Sequence, residues 1–214
     1  MSVITISRQY GSGGSDIAKL VAKHLGWSLI DNEFVDRVAE RAGIDPAEVE
    51  SKEERVPGLI ERLARALAIS SPEVFVATGE PPEAVGHEDR IIEMTERVIT
   101  EAVQHGHVVM VGRGAQAYLA ERERTLHVYI VAPRAARILA VMKRLDIGEV
   151  EAGRTVDDID KNRERYVKTH YNRQWAHPAN YHLCLNSEAL GYEGGADVIR
   201  EAARIRGLLI DRVR

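Results

Sequence analysis

Cysteine is nearly missing, since the 214-residue chain holds one, Cys184. A single thiol cannot close an intramolecular disulfide, which excludes a disulfide-stapled fold and fits a reducing cytoplasm. Cys184 lies in the apolar run His182 to Leu185, which reads it as a core residue. Apolar runs of membrane-spanning length and a secretory leader pattern are also missing. The expectation is a soluble, cytoplasmic protein with no membrane partner. A basic excess is missing too: Lys and Arg number 29 against 33 Asp and Glu, a formal charge of −4. General nucleic-acid binding calls for the opposite balance. No repeat or low-complexity tract occurs. His170, His177 and His182 flank the aromatic stretch Tyr171 to Tyr181, but they form no compact helical pair and no second cysteine joins them, which argues against zinc.

What is present is concentrated in Val3 to Ser15, VITISRQYGSGGS. Val3 to Ile6 is a short β-branched run that suits a buried strand. Gly11, Gly13 and Gly14 follow and let the main chain approach a ligand closely. Ile17, Leu20, Val21 and Leu25 then recur at helical spacing, so a helix begins near Ser15. A helix N-terminus behind a glycine turn presents free N–H groups and a partial positive charge to an anion. The bland alternative is a glycine turn without a ligand. The pattern G-x-x-x-x-G-K-[ST] is incomplete: Gly13 and Ser15 fit it, but Gly14 stands at the lysine and Arg8 at the first glycine.

Four more strands are expected. Trp27 to Ile30 runs to Asp31 and Asn32, which either cap the following helix or meet a ligand at the strand end. His107 to Val111 reads as a buried parallel strand opening on Gly112-Arg113-Gly114, where an arginine between glycines suits phosphate. Leu126 to Val131 and His182 to Leu185 complete the set. Between them lie helices over about 88–104, from Arg134 to a break near Gly148, over about 155–170, and from about Gly194 to Arg206. Residues 44–86 differ in texture and read as a helical insertion. Arg134 to Arg173 holds ten Arg or Lys residues, which taken alone suggest a solvated helix face with i,i+4 pairs. Strands alternating with helices imply an α/β sheet with right-handed crossovers and the first strand central.

These residues resemble the cytidylate kinase-like P-loop proteins, related to the nucleoside monophosphate kinases. VITISRQYGSGGSDIAKLVAKHLGWSLID aligns without a gap to the start of bacterial cytidylate kinases. HVVMVGRGA is similar to their second block, and LNSEALGYEGGADVI to their last strand and helix. The resemblance implies one P-loop NTPase-type domain over 1–214, a three-layer α/β sandwich on a five-stranded parallel sheet, with the insertion and a lid-like segment at about 148–175. It also implies that Gly11, Ser12, Gly13, Gly14 and Ser15 wrap the phosphates of ATP, with the Ser15 hydroxyl toward Mg2+. Arg37 and Arg113, with Asp31 and Asn32 nearby, would hold the acceptor. Arg163 or Arg165 would close over the transferring group, with Arg8 supplying the charge that Gly14 lacks. Gly114 departs from the aspartate of the family's GRD block, which opens the question of acceptor preference.

The resulting expectation is ATP-dependent phosphoryl transfer to a nucleoside monophosphate, CMP or dCMP first. The alternatives are a nucleotide-binding module with little turnover and a kinase of another small metabolite. A homodimer through the insertion is a further expectation.

Overall fold

A computed structural model describes residues 1–31, 96, 99–100, 102–104, 107–112 and 114–209. The expected insertion at 44–86, and with it the expected dimer contact, lies outside the described residues.

A five-stranded parallel sheet organises these residues, in the order β2-β3-β1-β4-β5. The strands are β1 (Val3–Arg8), β2 (Ser28–Ile30), β3 (Val108–Val111), β4 (Thr125–Val131) and β5 (Leu183–Asn186). β1 is central, as its apolar run requires, with Ile6 paired to Val111 on one side and Val128 on the other. Among the described residues, helices with defined bounds are α1 (Gly14–Leu25), α2 (Ala115–Tyr118), α3 (Arg134–Leu145), α4 (Glu149–Tyr171) and α5 (Ser187–Ile205), and residues 96, 99–100 and 102–104 are also helical.

Alternation along the strands divides the core between two faces. Ile4, Ile6, Leu126, Val128 and Ile130 meet Ile17, Ala18 and Val21 of α1 and Ala196 and Ile199 of α5. On the other face Val3 packs with Val108, Met110, Ala115 and the buried Ile99 and Val103. Tyr129 packs there with Val167 of α4, Trp175 and Tyr181. The result is helix, sheet, helix, with the carboxyl ends of all strands along one edge.

Three sequence expectations change. Cys184 is exposed, because β5 pairs only with β4 among the described strands and Cys184 faces away from the core that Leu185 enters. Helix α4 begins at Glu149, because Gly153 is buried within it and sits where a Cβ would come 3.2 Å from the Arg134 guanidinium. Helix α5 begins at Ser187 and not near Gly194. Asn186 caps it by accepting from Glu188 N and Ala189 N, and the chain kinks at Gly191 (φ 67) before continuing.

Candidate active site

The phosphate loop starts where β1 ends. Gln9 N donates to Ile130 O (2.9 Å) and Ser12 N to Gln9 O (3.2 Å). Gly11 and Gly13 take φ of 78° and 71°, and a Cβ on Gly11 would stand 2.7 Å from the Arg137 carbonyl oxygen. Ile17 N makes a helical bond to Gly13 O. The preceding N–H groups of Gly14, Ser15 and Asp16 have no helical acceptor, so they and the helix dipole favour an anion at the loop. Gly11, Gly13, Gly14 and Ser15 line a cleft of about 420 Å³. Ser12 does not line it. Its hydroxyl donates to Gln9 O (2.7 Å), and its carbonyl accepts from Ser187 Oγ at the start of α5 (2.6 Å).

Arg8 explains two of the glycines. A Cβ on Gly14 would collide with the Arg8 Cβ and stand 2.9 Å from its Cγ, and a Cβ on Gly112 would collide with the Arg8 Nη1. The side chain therefore runs from the phosphate loop across to the end of β3. Arg8 and Arg163 line both the main cleft and a second cavity of about 50 Å³ that reaches Ser7, Gly112, Gly114 and Trp175. The two guanidinium groups thus stand where the cavities adjoin.

Arg163 is buried and donates from Nη1 to Arg8 O (2.9 Å). One turn earlier, Asp160 accepts from Tyr10 N (2.8 Å) and pairs with Arg137 (2.6 Å) and Arg163 (3.5 Å). Burial pushes the Asp160 carboxyl up from its ordinary value, while the Tyr10 N–H and both guanidinium groups pull it down. Arg137 also donates to Ala132 O (3.1 Å) and Tyr10 O (3.2 Å). The cations of 134–173 therefore divide. Arg137 and Arg163 are internal, and Arg134 reaches across to Asp157 on α4 (2.7 Å). Lys143 and Arg144 line the cleft, where Arg144 lies over the Tyr10 ring at 4.7 Å. Among the described residues, the ion pairs of these cations connect α3 to α4, run i,i+3, or join Arg173 to Glu121 (3.3 Å), in place of the i,i+4 pattern expected of a solvated face.

Arg165 is exposed and donates to Asn162 Oδ1 (2.9 Å), and it does not line the cleft. Asp31 is buried at the end of β2. Asn32, Arg37 and Arg113 lie outside the described residues. Gly114 has φ 66°, and a Cβ there would be 2.6 Å from the Tyr171 ring and 3.2 Å from Tyr166. Sequence reasoning missed Lys143 and Arg144, although Ala140, Lys143 and Arg144 share one helical face by their spacing. It also missed Tyr192, 43 % exposed, whose ring covers Gly13 and lines the cleft. No local pattern marks Tyr192, because it reaches the loop only after the kink at Gly191.

The glycine cradle and the cations around it match a larger pattern, for the model of the cytidylate kinase-like family covers residues 3–189. The chain belongs to that family. A cytidylate kinase of Archaeoglobus fulgidus is 25 % identical over 213 residues, spanning 98 % of both chains. A uronate isomerase of Corynebacterium glutamicum is 29 % identical over 112 residues, 52 % of this chain, and the match spans only 21 % of that protein's length. An uncharacterized protein of Eubacterium ventriosum has a similar crystal structure, with TM-score 0.68 and 19 % identity over 95 % of this chain and 99 % of that one. The shikimate kinase of Bacteroides thetaiotaomicron follows at TM-score 0.52 and 13 % identity, over 95 % and 98 %. The fold of this cytidylate kinase-like chain is thus a P-loop kinase fold. No described helix is long and apolar enough to cross a membrane.

Proposed function

We propose that the chain transfers a phosphoryl group from ATP to a nucleoside monophosphate, with CMP or dCMP the leading acceptor. The observation that carries the reading is the Arg8 side chain, lodged in the space left by Gly14 and Gly112 between two adjoining cavities. Its stem passes Gly14 and its guanidinium reaches Gly112 at the end of β3, from where it would supply the positive charge that the absent loop lysine lacks. Phosphoryl transfer depends mainly on positioning and charge stabilisation, and a fixed cation between the two cavities would serve both.

The cleft fits a triphosphate: positive-φ glycines, open N–H groups at the head of α1, and Arg8, Lys143, Arg144 and Arg163 around it. Gly11, Gly13, Gly14 and Ser15 hold the donor phosphates, and Arg8 and Arg163 neutralise charge where the cavities meet. The Ser15 hydroxyl would hold Mg2+, which would supply charge neutralisation to the transferring phosphoryl group. Asp31, Asn32, Arg37 and Arg113 are proposed for the acceptor, and Arg165 for a closed arrangement of the lid-like segment at 148–175. A single thiol and an ATP donor fit a cytoplasmic enzyme.

Gly114 favours a second reading, a kinase of another small metabolite. The rings of Tyr166 and Tyr171 fill the space that an aspartate at 114 would need. A nucleotide-binding module with little turnover is the remaining outcome.

Coupled ADP release with ATP and Mg2+ against CMP, dCMP, UMP, AMP, GMP and dTMP tests the proposal, with Arg8→Ala beside the wild type. Acceptor-dependent turnover that falls about 10²- to 10³-fold in the variant is expected, the usual effect of removing one transition-state donor. ATP binding without turnover on any acceptor would overturn it.

A further inference from the structure

Helix α4 meets the phosphate loop through the Tyr10 ring, which packs with Ala152, Val156 and Ile159, and through one carboxylate that reaches the loop backbone. Asp160, 16 % exposed at its side chain, uses Oδ1 to accept from Tyr10 N (2.8 Å) and Oδ2 to pair with Arg137 Nη1 (2.6 Å). Arg137 returns to the same residue, donating to Tyr10 O (3.2 Å). Arg163, on the next turn of α4, pairs with Asp160 Oδ1 (3.5 Å) and donates to Arg8 O (2.9 Å). Both backbone polar groups of Tyr10 and the Arg8 carbonyl are therefore held by a single carboxylate and its two cations. A turn rich in glycine has much backbone entropy to lose, and its N–H groups form an anion site only in one conformation.

We infer that Asp160 is a positioning residue: it fixes the phosphate loop to α4, so that the loop and the Arg163 guanidinium are set together before any anion arrives. The inference rests on the proposed phosphate-binding role of the cleft, but its structural half can be read without a nucleotide. Asn at 160 keeps the shape and loses the charge, and its amide N–H groups oppose the Arg137 guanidinium. Its one remaining oxygen serves either Tyr10 N or Arg137 and not both, so half of the Tyr10 clamp is lost, while β1 and α1 keep their own hydrogen bonds.

The test compares wild type, Asp160→Asn and Asp160→Glu by amide hydrogen exchange of the ligand-free protein and by ATP titration calorimetry. In Asp160→Asn, exchange over residues 9–13 is expected to rise about tenfold beyond any rise in β1 and α1, with ATP affinity about tenfold weaker, the equivalent of one lost charged contact. Asp160→Glu should recover part of both. Where the single variant does not fold, Asp160→Asn with Arg137→Met removes the cation otherwise left buried and unpaired, and the same pattern is expected. Loop exchange unchanged, or raised only in proportion to the whole fold, overturns the inference. A local rise with unchanged ATP affinity overturns its link to phosphate. A wild type that binds no ATP overturns the nucleotide reading, and the exchange pattern still decides whether Asp160 sets the loop.

Discussion

Gly14 and Arg8 form one unit. Restoring a lysine at 14 puts a Cβ into the Arg8 stem, so Gly14→Lys is expected to displace Arg8 and lower turnover instead of raising it. Overpacking of that kind costs roughly 1–3 kcal/mol, to be read from urea midpoints beside the kinetic assay. A rise in turnover would mean that the loop tolerates the usual cation and that Arg8 is dispensable. Tyr192 belongs to the same scale. Its ring lines the cleft beside Gly13 and offers an aromatic surface to a nucleobase. Tyr192→Ala should weaken ATP about five- to tenfold, the value of one aromatic contact, and leave inorganic tripolyphosphate unchanged. Equal losses for both ligands in calorimetry would show that the ring acts on the loop and not on the base.

Among the elements, α5 carries the clearest dependence on a single side chain. Asn186 accepts from Glu188 N and Ala189 N, and Ser187 then donates to the Ser12 carbonyl in the phosphate loop. Asn186→Ala is expected to cost about 1 kcal/mol, measured by chemical denaturation, and Asn186→Asp should retain most of it. The sequence made the strands legible: the β-branched run of β1 and the apolar run of β3 admit few other readings. The starts of α4 and α5 were less legible. Gly153 and the Gly191–Gly194–Gly195 stretch look like helix breakers in isolation, whereas Gly153 is held by packing against Arg134 and Ile138. The local signal for α5 was present in Asn186 and was outweighed by those glycines.

Across the whole molecule, the sheet buries one histidine, His127, beneath the exposed His182. His127 on β4 stacks on His182 at 5.1 Å, meets Thr5 Oγ1 through Nδ1 (2.7 Å), and is pushed down to about 4 by burial first and by His182 next. A histidine kept neutral in the fold takes up a proton more readily once unfolded. Its contribution is therefore complete above the unfolded value near 6.5 and is lost as pH falls toward about 4. Urea midpoints should drop across that window by the equivalent of about 3 kcal/mol from this residue. His127→Gln should flatten the slope there while lowering stability at neutral pH. An unchanged slope in the variant would assign the acid sensitivity to other groups.

The sequence by itself determined the class of fold, the central place of β1 and the glycine turn at the head of α1. Those depend on neighbours in the chain, where periodicity and backbone freedom speak directly. Only the tertiary structure decided which cations serve the cleft. Arg137 and Arg163 read as part of one charged stretch with Lys143 and Arg165, yet Arg137 and Arg163 are buried against Asp160, Arg163 and Lys143 line the cleft, and Arg165 faces outward. Contacts such as Asp160 with Tyr10, or Tyr192 with Gly13, join residues far apart in the chain. What a charged side chain does is set by the groups that surround it in space, and no spacing along a single strand or helix records them.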